Sequence, residues 1–97
     1  MDEIGFRNWL SNTGNNKKVQ ADAVSRLKTL QRELGFCDLD IEYNANKCAN
    51  ILAALKDKGE NELMRSYGKV NLPIGKYTLS TYRYALNLYI HFRESQE

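Results

Sequence analysis

Residues 17–34 read KKVQADAVSRLKTLQREL, and Gly35 follows them. The apolar side chains of this stretch recur every three or four residues, which is the period of one face of an α-helix. Glycine directly after such a run favours the positive φ that commonly ends a helix. The stretch therefore predicts a helix of about five turns, with an apolar face formed by Ala23, Val24, Leu27, Leu30 and Leu34.

Both ends of the chain carry further apolar helical faces. Near the start, Phe6, Trp9 and Leu10 are spaced as on one helical face, and the polar run of residues 11–16 ends that helix. A final helix is predicted from about Thr78 to Arg93. Because it is apolar on more than one side, we expect it to be central in the fold. Its predicted core face consists of Leu79, Tyr82, Ala85, Leu86, Tyr89 and Phe92.

The middle of the chain predicts two shorter helices and a connector. A third helix, capped by Asn44 or Asn46, should end at Gly59, and a short fourth one should cover residues 60–67. Residues 36–43 alternate like a strand, but a lone strand has no partner, so we expect an irregular link that can include a helical turn. Its expected core anchors are Phe36, Leu39 and Ile41. The resulting fold is an all-α single domain, a compact bundle of four or five helices around the C-terminal helix.

Length and composition limit the class of protein. Ninety-seven residues suffice for one domain, and no apolar run approaches the roughly 18–20 residues that span a membrane. The start, Met1-Asp2-Glu3, lacks the apolar region of a secretory signal, so a cytoplasmic location is expected. Cys37 and Cys48 are then expected to be reduced, and a disulfide between them is the minor alternative.

The sequence contains no recognisable catalytic, cofactor or metal motif. The single histidine, His91, is expected to be a packing or surface residue, with a base or ligand role as the alternative. Asp38, Asp40 and Glu42 alternate, but the central glycine and distal glutamate of a calcium loop are missing. We therefore interpret them as a solvated acidic loop, and we expect a non-enzymatic protein with no metal or cofactor.

A basic stripe runs along the long helix of residues 17–34. Its members lie seven, three and four residues apart, and Lys17 and Arg26 add charge beside it. Such a stripe can contact the phosphates of DNA, and each contact would release counterions. The alternative is a solvated face opposite the apolar one. The predicted DNA-binding residues are Lys17, Lys18, Ser25, Lys28 and Arg32.

A second surface is predicted on the outer side of the final helix. Tyr77, Tyr84 and Leu88 are spaced at helical intervals, close to Arg83. Tyrosine and arginine together can stack on bases, and they are also enriched at protein interfaces. Packing of this stripe against the first helix is the third alternative.

Five stretches of the sequence share an order with known helical modules. They are residues 6–10 (FRNWL), residues 25–28 (SRLK), Leu39-Asp40 with Tyr43, residues 51–55 (ILAAL) and residues 82–92 (YRYALNLYIHF). In this order they resemble a helical module at the N-terminus of bacterial restriction-endonuclease-like proteins. They are also distantly similar to the core-binding domain of tyrosine recombinases, which begins with a Phe-x-x-Trp/Phe-Leu helix and ends with a Tyr-x-x-Ala-Leu-x-x-Tyr/Phe helix.

The resemblance implies a non-catalytic module that holds the backbone of duplex DNA through the basic face of its second helix. The alternative partner is another protein or domain, bound through Tyr77, Tyr84 and Leu88, and the sequence leaves the oligomeric state open. Glu94 and Glu97 lie near the C-terminal end of the last helix, where the helix dipole disfavours acidic groups. Together with the multidomain habit of the family, this favours the N-terminal domain of a longer protein, with a naturally short protein as the alternative.

Overall fold

A computed structural model describes all 97 residues as six α-helices and one short 3₁₀ turn, without strands. The all-α prediction is confirmed, and the six α-helices are one more than the upper predicted number of five. The helices are α1 (Glu3–Asn12), α2 (Lys17–Glu33), α3 (Leu39–Asn46), α4 (Ala49–Ala54), α5 (Glu62–Ser66) and α6 (Leu79–Ser95), with the 3₁₀ turn at Lys56–Gly59. None of these helices has the length and apolar character required to cross a membrane.

Short polar side chains begin most of the helices. Asp2, Asn16 and Asn61 each accept a hydrogen bond from a backbone N–H in the first turn of α1, α2 and α5, respectively. Such bonds satisfy N–H groups that have no partner inside the helix. Asn46, one of the two residues predicted to cap the third helix, accepts a bond from the N–H of Ala49 at the start of α4.

The two ends of the chain close one core, as the apolar faces of α1 and α6 predict. The ring of Phe6 lies edge-on to Tyr89, with centroids 5.1 Å apart, and 5.7 Å from the ring of Phe92. On its other side α6 packs along α2. Tyr82, predicted to belong to the core face, is only partly buried, whereas Ile90 is buried.

The connector after α2 differs from its prediction. Residues 39–46 form α3, because Leu39 and Tyr43 are four residues apart and both are buried on one helical face. Ile41 lies between them on the opposite side and is 68% exposed. Phe36 precedes the helix with a φ of 53° and is 85% exposed. The prediction that Phe36 and Ile41 anchor the core is therefore wrong, whereas that of Leu39 is confirmed.

The helix predicted to end at Gly59 stops earlier, at Ala54. Asp57 and Lys58 both have positive φ, which turns the chain out of the helical path. The side-chain amide of Asn61 donates to the carbonyls of Ala54 and Lys56, at 3.0 and 2.9 Å, and so satisfies groups left free at the helix end.

The acidic residues at the start of α3 are not a solvated loop. Oδ1 of Asp40 accepts hydrogen bonds from Nη1 of Arg93, at 2.6 Å, and from the hydroxyl of Tyr89. The amino terminus at Met1 lies 3.1 Å from Asp38 and 3.4 Å from Asp40. These contacts tie the beginnings of α1 and α3 to the end of α6. The interpretation as a solvated loop is wrong for Asp40, which is partly buried in α3, whereas Asp38 remains exposed at the start of that helix.

The acidic residues at the end of α6 also have partners. Tyr43 donates a hydrogen bond of 2.6 Å to Glu97, which raises the pKa of this tyrosine to about 12. Glu94 lies 3.9 Å from the ammonium group of Lys47. These contacts offset the unfavourable position of both carboxylates in the dipole of α6.

Candidate nucleic-acid interface

The five residues predicted to contact DNA are all exposed on α2. The buried side of this helix is formed by Ala23, Val24, Leu27 and Leu30, so the amphipathic reading of residues 17–34 is confirmed. Asn16 begins α2 by accepting a hydrogen bond of 2.9 Å from Val19, which leaves Lys17 and Lys18 in the exposed first turn.

Much of the charge on this stripe is offset by neighbouring carboxylates. Lys18 pairs with Asp22 at 3.1 Å and Arg32 with Glu33 at 3.0 Å. Lys28 pairs with Glu3 of α1 at 2.9 Å, and this contact lowers the pKa of Glu3. Because a paired cation contributes little net positive potential, the stripe is a weaker anion-binding surface than its sequence indicates.

A more strongly cationic surface lies beside the stripe, in an open groove of about 660 Å³ between α2, residues 71–78 and the first turn of α6. Three basic side chains line it, namely Arg26, Arg32 and Lys76. Neither Arg26 nor Lys76 forms an ion pair, and no carboxylate lines the groove. Its other lining residues are Thr29, Asn71, Leu72, Pro73, Thr78, Thr81 and Tyr82. Hydroxyl groups and unpaired cations together are suited to binding phosphate oxygens.

The loop that forms one wall of this groove is held in place by hydrogen bonds. Glu33 at the end of α2 accepts a bond of 2.6 Å from the N–H of Asn71, and this bond lowers the pKa of Glu33. At the other end of the loop, the N–H of Gly75 donates to the carbonyl of Lys58 at 2.7 Å. These two bonds hold the backbone on both sides of Pro73, next to Lys76.

A second, smaller groove of about 340 Å³ continues this surface toward α1. Thr29 and Arg32 line both grooves, so the two are adjacent. Arg7 from α1 joins Ser25 and Lys28 along the smaller one. The structure thus brings three predicted residues, Ser25, Lys28 and Arg32, to one surface; Lys17 and Lys18 line neither groove.

Sequence reasoning missed the central cations of this surface. Arg26 is predicted only as additional charge beside the stripe, and no role is predicted for Lys76. No local pattern marks Lys76, because its position opposite Arg26 depends on how the loop before α6 folds back onto α2. The sequence feature closest to Lys76 is the predicted start of the last helix at Thr78.

The second predicted surface is divided in the structure. Tyr77 lies in the turn before α6 and is 83% exposed, with Nζ of Lys58 4.5 Å from its ring centroid. Tyr84 lies within α6 and is 58% exposed, whereas Leu88 is partly buried against the core. The alternative that this stripe packs against the first helix is therefore wrong for Tyr77 and Tyr84.

Groups with catalytic or metal-binding potential do not converge on these grooves. No three His, Cys, Asp or Glu side chains are placed to hold a metal ion. His91 is exposed and makes no hydrogen bond with a carboxylate. Cys37 and Cys48 are both free thiols, and burial raises the pKa of Cys48 to about 12. This thiol lies against the carbonyl of Leu39 inside the core, where it acts as a packing residue.

In comparisons with known proteins, no family model, curated protein or solved structure matches the chain.

Proposed function

We propose that this protein is a non-catalytic DNA-binding accessory domain that holds the backbone of duplex DNA, within a restriction, nuclease or recombinase-like protein of bacterial type. The observation that carries the proposal is the groove between α2 and the loop before α6. There Arg26 and Lys76 have no acidic partner, and Arg32 lies between this groove and the adjacent one. The likeness of the chain to recombinase core-binding domains adds the second reason.

Charge and size together limit the mode of binding. The net charge is only +2, and the longest dimension of the domain is 37 Å, which equals about one turn of B-DNA. A domain of this size with few unpaired cations would contact roughly two to four phosphates on one side of the duplex. The logarithm of its affinity should then fall with the logarithm of salt concentration with a slope of about −2 to −4.

The test is a titration of a fluorescein-labelled duplex by anisotropy at about 20, 50 and 100 mM salt, the range in which phosphate contacts dominate. The Arg26→Glu/Lys76→Glu variant should bind roughly tenfold more weakly or worse than the wild type. The matched control is Arg65→Glu/Lys69→Glu, which changes the net charge equally at exposed residues outside both grooves. No binding at low salt, or an equal loss in both variants, would contradict the proposal.

A second candidate function is docking of a protein partner on the outer face of α6. It is favoured by Tyr84, which remains 58% exposed and makes no side-chain hydrogen bond, beside the partly buried Leu88. Sedimentation of the wild type and of Tyr84→Ala tests self-association. A monomeric wild type over the whole concentration range would remove self-association as the use of this face.

A further inference from the structure

Tyr77 is an exposed aromatic ring on a fixed piece of backbone. Its carbonyl accepts hydrogen bonds from the backbone N–H of Ser80, at 3.0 Å, and from the Ser80 hydroxyl, at 2.7 Å. The side chain is 83% exposed, and its hydroxyl makes no hydrogen bond within the protein. Lys58 lies over one face of the ring, at 4.5 Å from the centroid. The opposite face of the ring is therefore open to solvent. The hydrogen bonds of the turn hold the backbone of the residue in position.

Lys76 connects the surroundings of this ring to the cationic groove. Lys76 lines both that groove and a small cavity of about 210 Å³ at the start of α6. Tyr77, Lys58 and Arg83 line this small cavity, together with one acidic residue, Asp57. A DNA strand whose phosphates contact Arg26 and Lys76 would consequently pass close to the cavity that Tyr77 borders.

We propose that Tyr77 stacks on an unpaired base, so that the preferred ligand is a DNA duplex that ends in a single-stranded overhang. This inference rests on the proposed function, and it names the form of DNA that this site would select. Bases inside a duplex are already stacked on one another, whereas the bases of an overhang have free faces. Stacking on an aromatic side chain is tolerant of sequence and needs no hydrogen bond to a base edge.

The surroundings of Tyr77 favour a nucleic acid over a protein as the occupant. Three cationic side chains, Lys58, Lys76 and Arg83, line the cavity that the ring borders. Lysine is depleted at the centre of protein interfaces, but cations beside an exposed ring are the usual composition of single-strand binding surfaces. Tyr84, which does not line this cavity, provides a matched exposed tyrosine for comparison.

The experiment compares a blunt duplex of about 12 base pairs with the same duplex bearing a short oligo-dT overhang. This length matches the 37 Å long dimension of the domain, since each base pair adds about 3.4 Å. Wild type should bind the overhang duplex about tenfold more tightly. Tyr77→Ala should lose that preference and keep its affinity for the blunt duplex, whereas Tyr77→Trp and Tyr84→Ala should retain the preference. A 2-aminopurine placed at the first unpaired position should be quenched on binding by wild type, and not by Tyr77→Ala.

The outcomes separate the two proposals. Equal affinity of the wild type for blunt and overhang duplexes would overturn the stacking proposal and leave backbone binding intact. Survival of the preference in Tyr77→Ala would likewise overturn it. If the protein binds neither duplex at low salt, the proposed function fails and the role of Tyr77 fails with it. Because Tyr77 is exposed, circular dichroism should show Tyr77→Ala to be folded, so a lost preference reports on the ring.

Discussion

Arg93, near the end of α6, lies with its Nη1 atom 2.6 Å from Oδ1 of Asp40, in the first turn of α3. The same carboxylate accepts a hydrogen bond from Tyr89, whose hydroxyl in turn accepts one of 2.8 Å from the N–H of Asp2. Both charged side chains are mostly buried, with exposures of 22% for Arg93 and 31% for Asp40. One carboxylate thus joins α1, α3 and α6.

Replacing this carboxylate should destabilise the whole domain. Asp40→Ala leaves Arg93 and the hydroxyl of Tyr89 without their acceptor in a half-buried position, and we expect the free energy of unfolding to fall by about 2 kcal/mol. In a domain of this size, the melting temperature should drop by roughly 10 °C. Thermal unfolding followed by circular dichroism measures the loss. Glu94→Gln, which removes only the exposed contact with Lys47, is the control and should change the melting temperature little.

The same cluster gives stability a defined dependence on pH. Burial opposes ionisation of Asp40, but its hydrogen bonds from Tyr89 and Arg93 lower its pKa below 3.8. The pKa of Asp38 is also lowered, chiefly by the N–H of Asp40. Because the unfolded chain takes up these protons first, the stability that the two carboxylates contribute is present above about pH 4 and is lost as the pH falls through the folded-state values.

The amino terminus contributes to stability with the opposite pH dependence, because its contribution is lost at alkaline pH. Burial lowers the pKa of this group, but contacts with Asp38 and Asp40 outweigh that effect and raise it above 8.0. Its contribution is therefore present below pH 8 and is lost as the pH rises through the folded-state value. Urea unfolding between about pH 3 and 10 should give maximal stability from about pH 5 to 8. Acetylation of Met1 should flatten the alkaline limb, and an unchanged limb would contradict the assigned contact.

Local periodicity predicted most of the fold, but not contacts between distant segments. The faces of α1, α2 and α6 could be inferred because Phe6, Leu27 and Tyr89 belong to long or strongly patterned helices. Leu39 and Tyr43 fit both a strand and a helix, since a spacing of four satisfies period two and period 3.6. The outcome was decided by the cap at Asp38 and by packing, neither of which a short apolar pattern reveals.

The candidate site illustrates the same limit. The exposed positions of Lys28 and Arg32 follow from the amphipathic pattern of α2, and both were predicted. The acids that offset them could not be inferred in full, because Glu3 reaches Lys28 from another helix. Lys76 required knowledge of the fold of residues 71–78, which contain no regular element.

The two thiols should differ sharply in reactivity. Cys48 is fully buried and its pKa is raised to about 12, whereas Cys37 is only partly buried, although burial also raises its pKa. Since the thiolate is the reactive form, a disulfide reagent at about pH 8 should modify one thiol in the native protein and two in denaturant. Cys37→Ser should abolish the native reaction. Two equivalents reacting natively at equal rates would contradict the buried position of Cys48.

Gly59 should tolerate substitution less well than Gly35, although both have positive φ, of 78° and 81°. A Cβ atom at position 59 would lie 2.7 Å from Ile74 and 2.9 Å from Leu79, whereas one at position 35 would meet nothing within 4 Å. Gly35→Ala should therefore lower the free energy of unfolding by about 1–2 kcal/mol, because only its backbone is strained. Gly59→Ala should lower it by more. Urea unfolding of both variants measures the difference, and equal losses would show that the side chains of Ile74 and Leu79 move aside freely.

The ion pairs of α2 predict an order among single-charge variants in DNA binding. Lys28 is offset by Glu3 at 2.9 Å, whereas Arg26 has no acidic partner and lines the larger groove. A phosphate contact by Lys28 would compete with its ion pair to Glu3, so the net gain from that contact should be small. Arg26→Gln removes a whole unpaired charge and should weaken duplex binding by roughly three- to tenfold at low salt. It should also reduce the magnitude of the salt slope by about one. Lys28→Gln, measured by the same anisotropy titration, should weaken binding less than about twofold. If Lys28→Gln weakened binding more than Arg26→Gln, the DNA would lie on the stripe instead of in the groove.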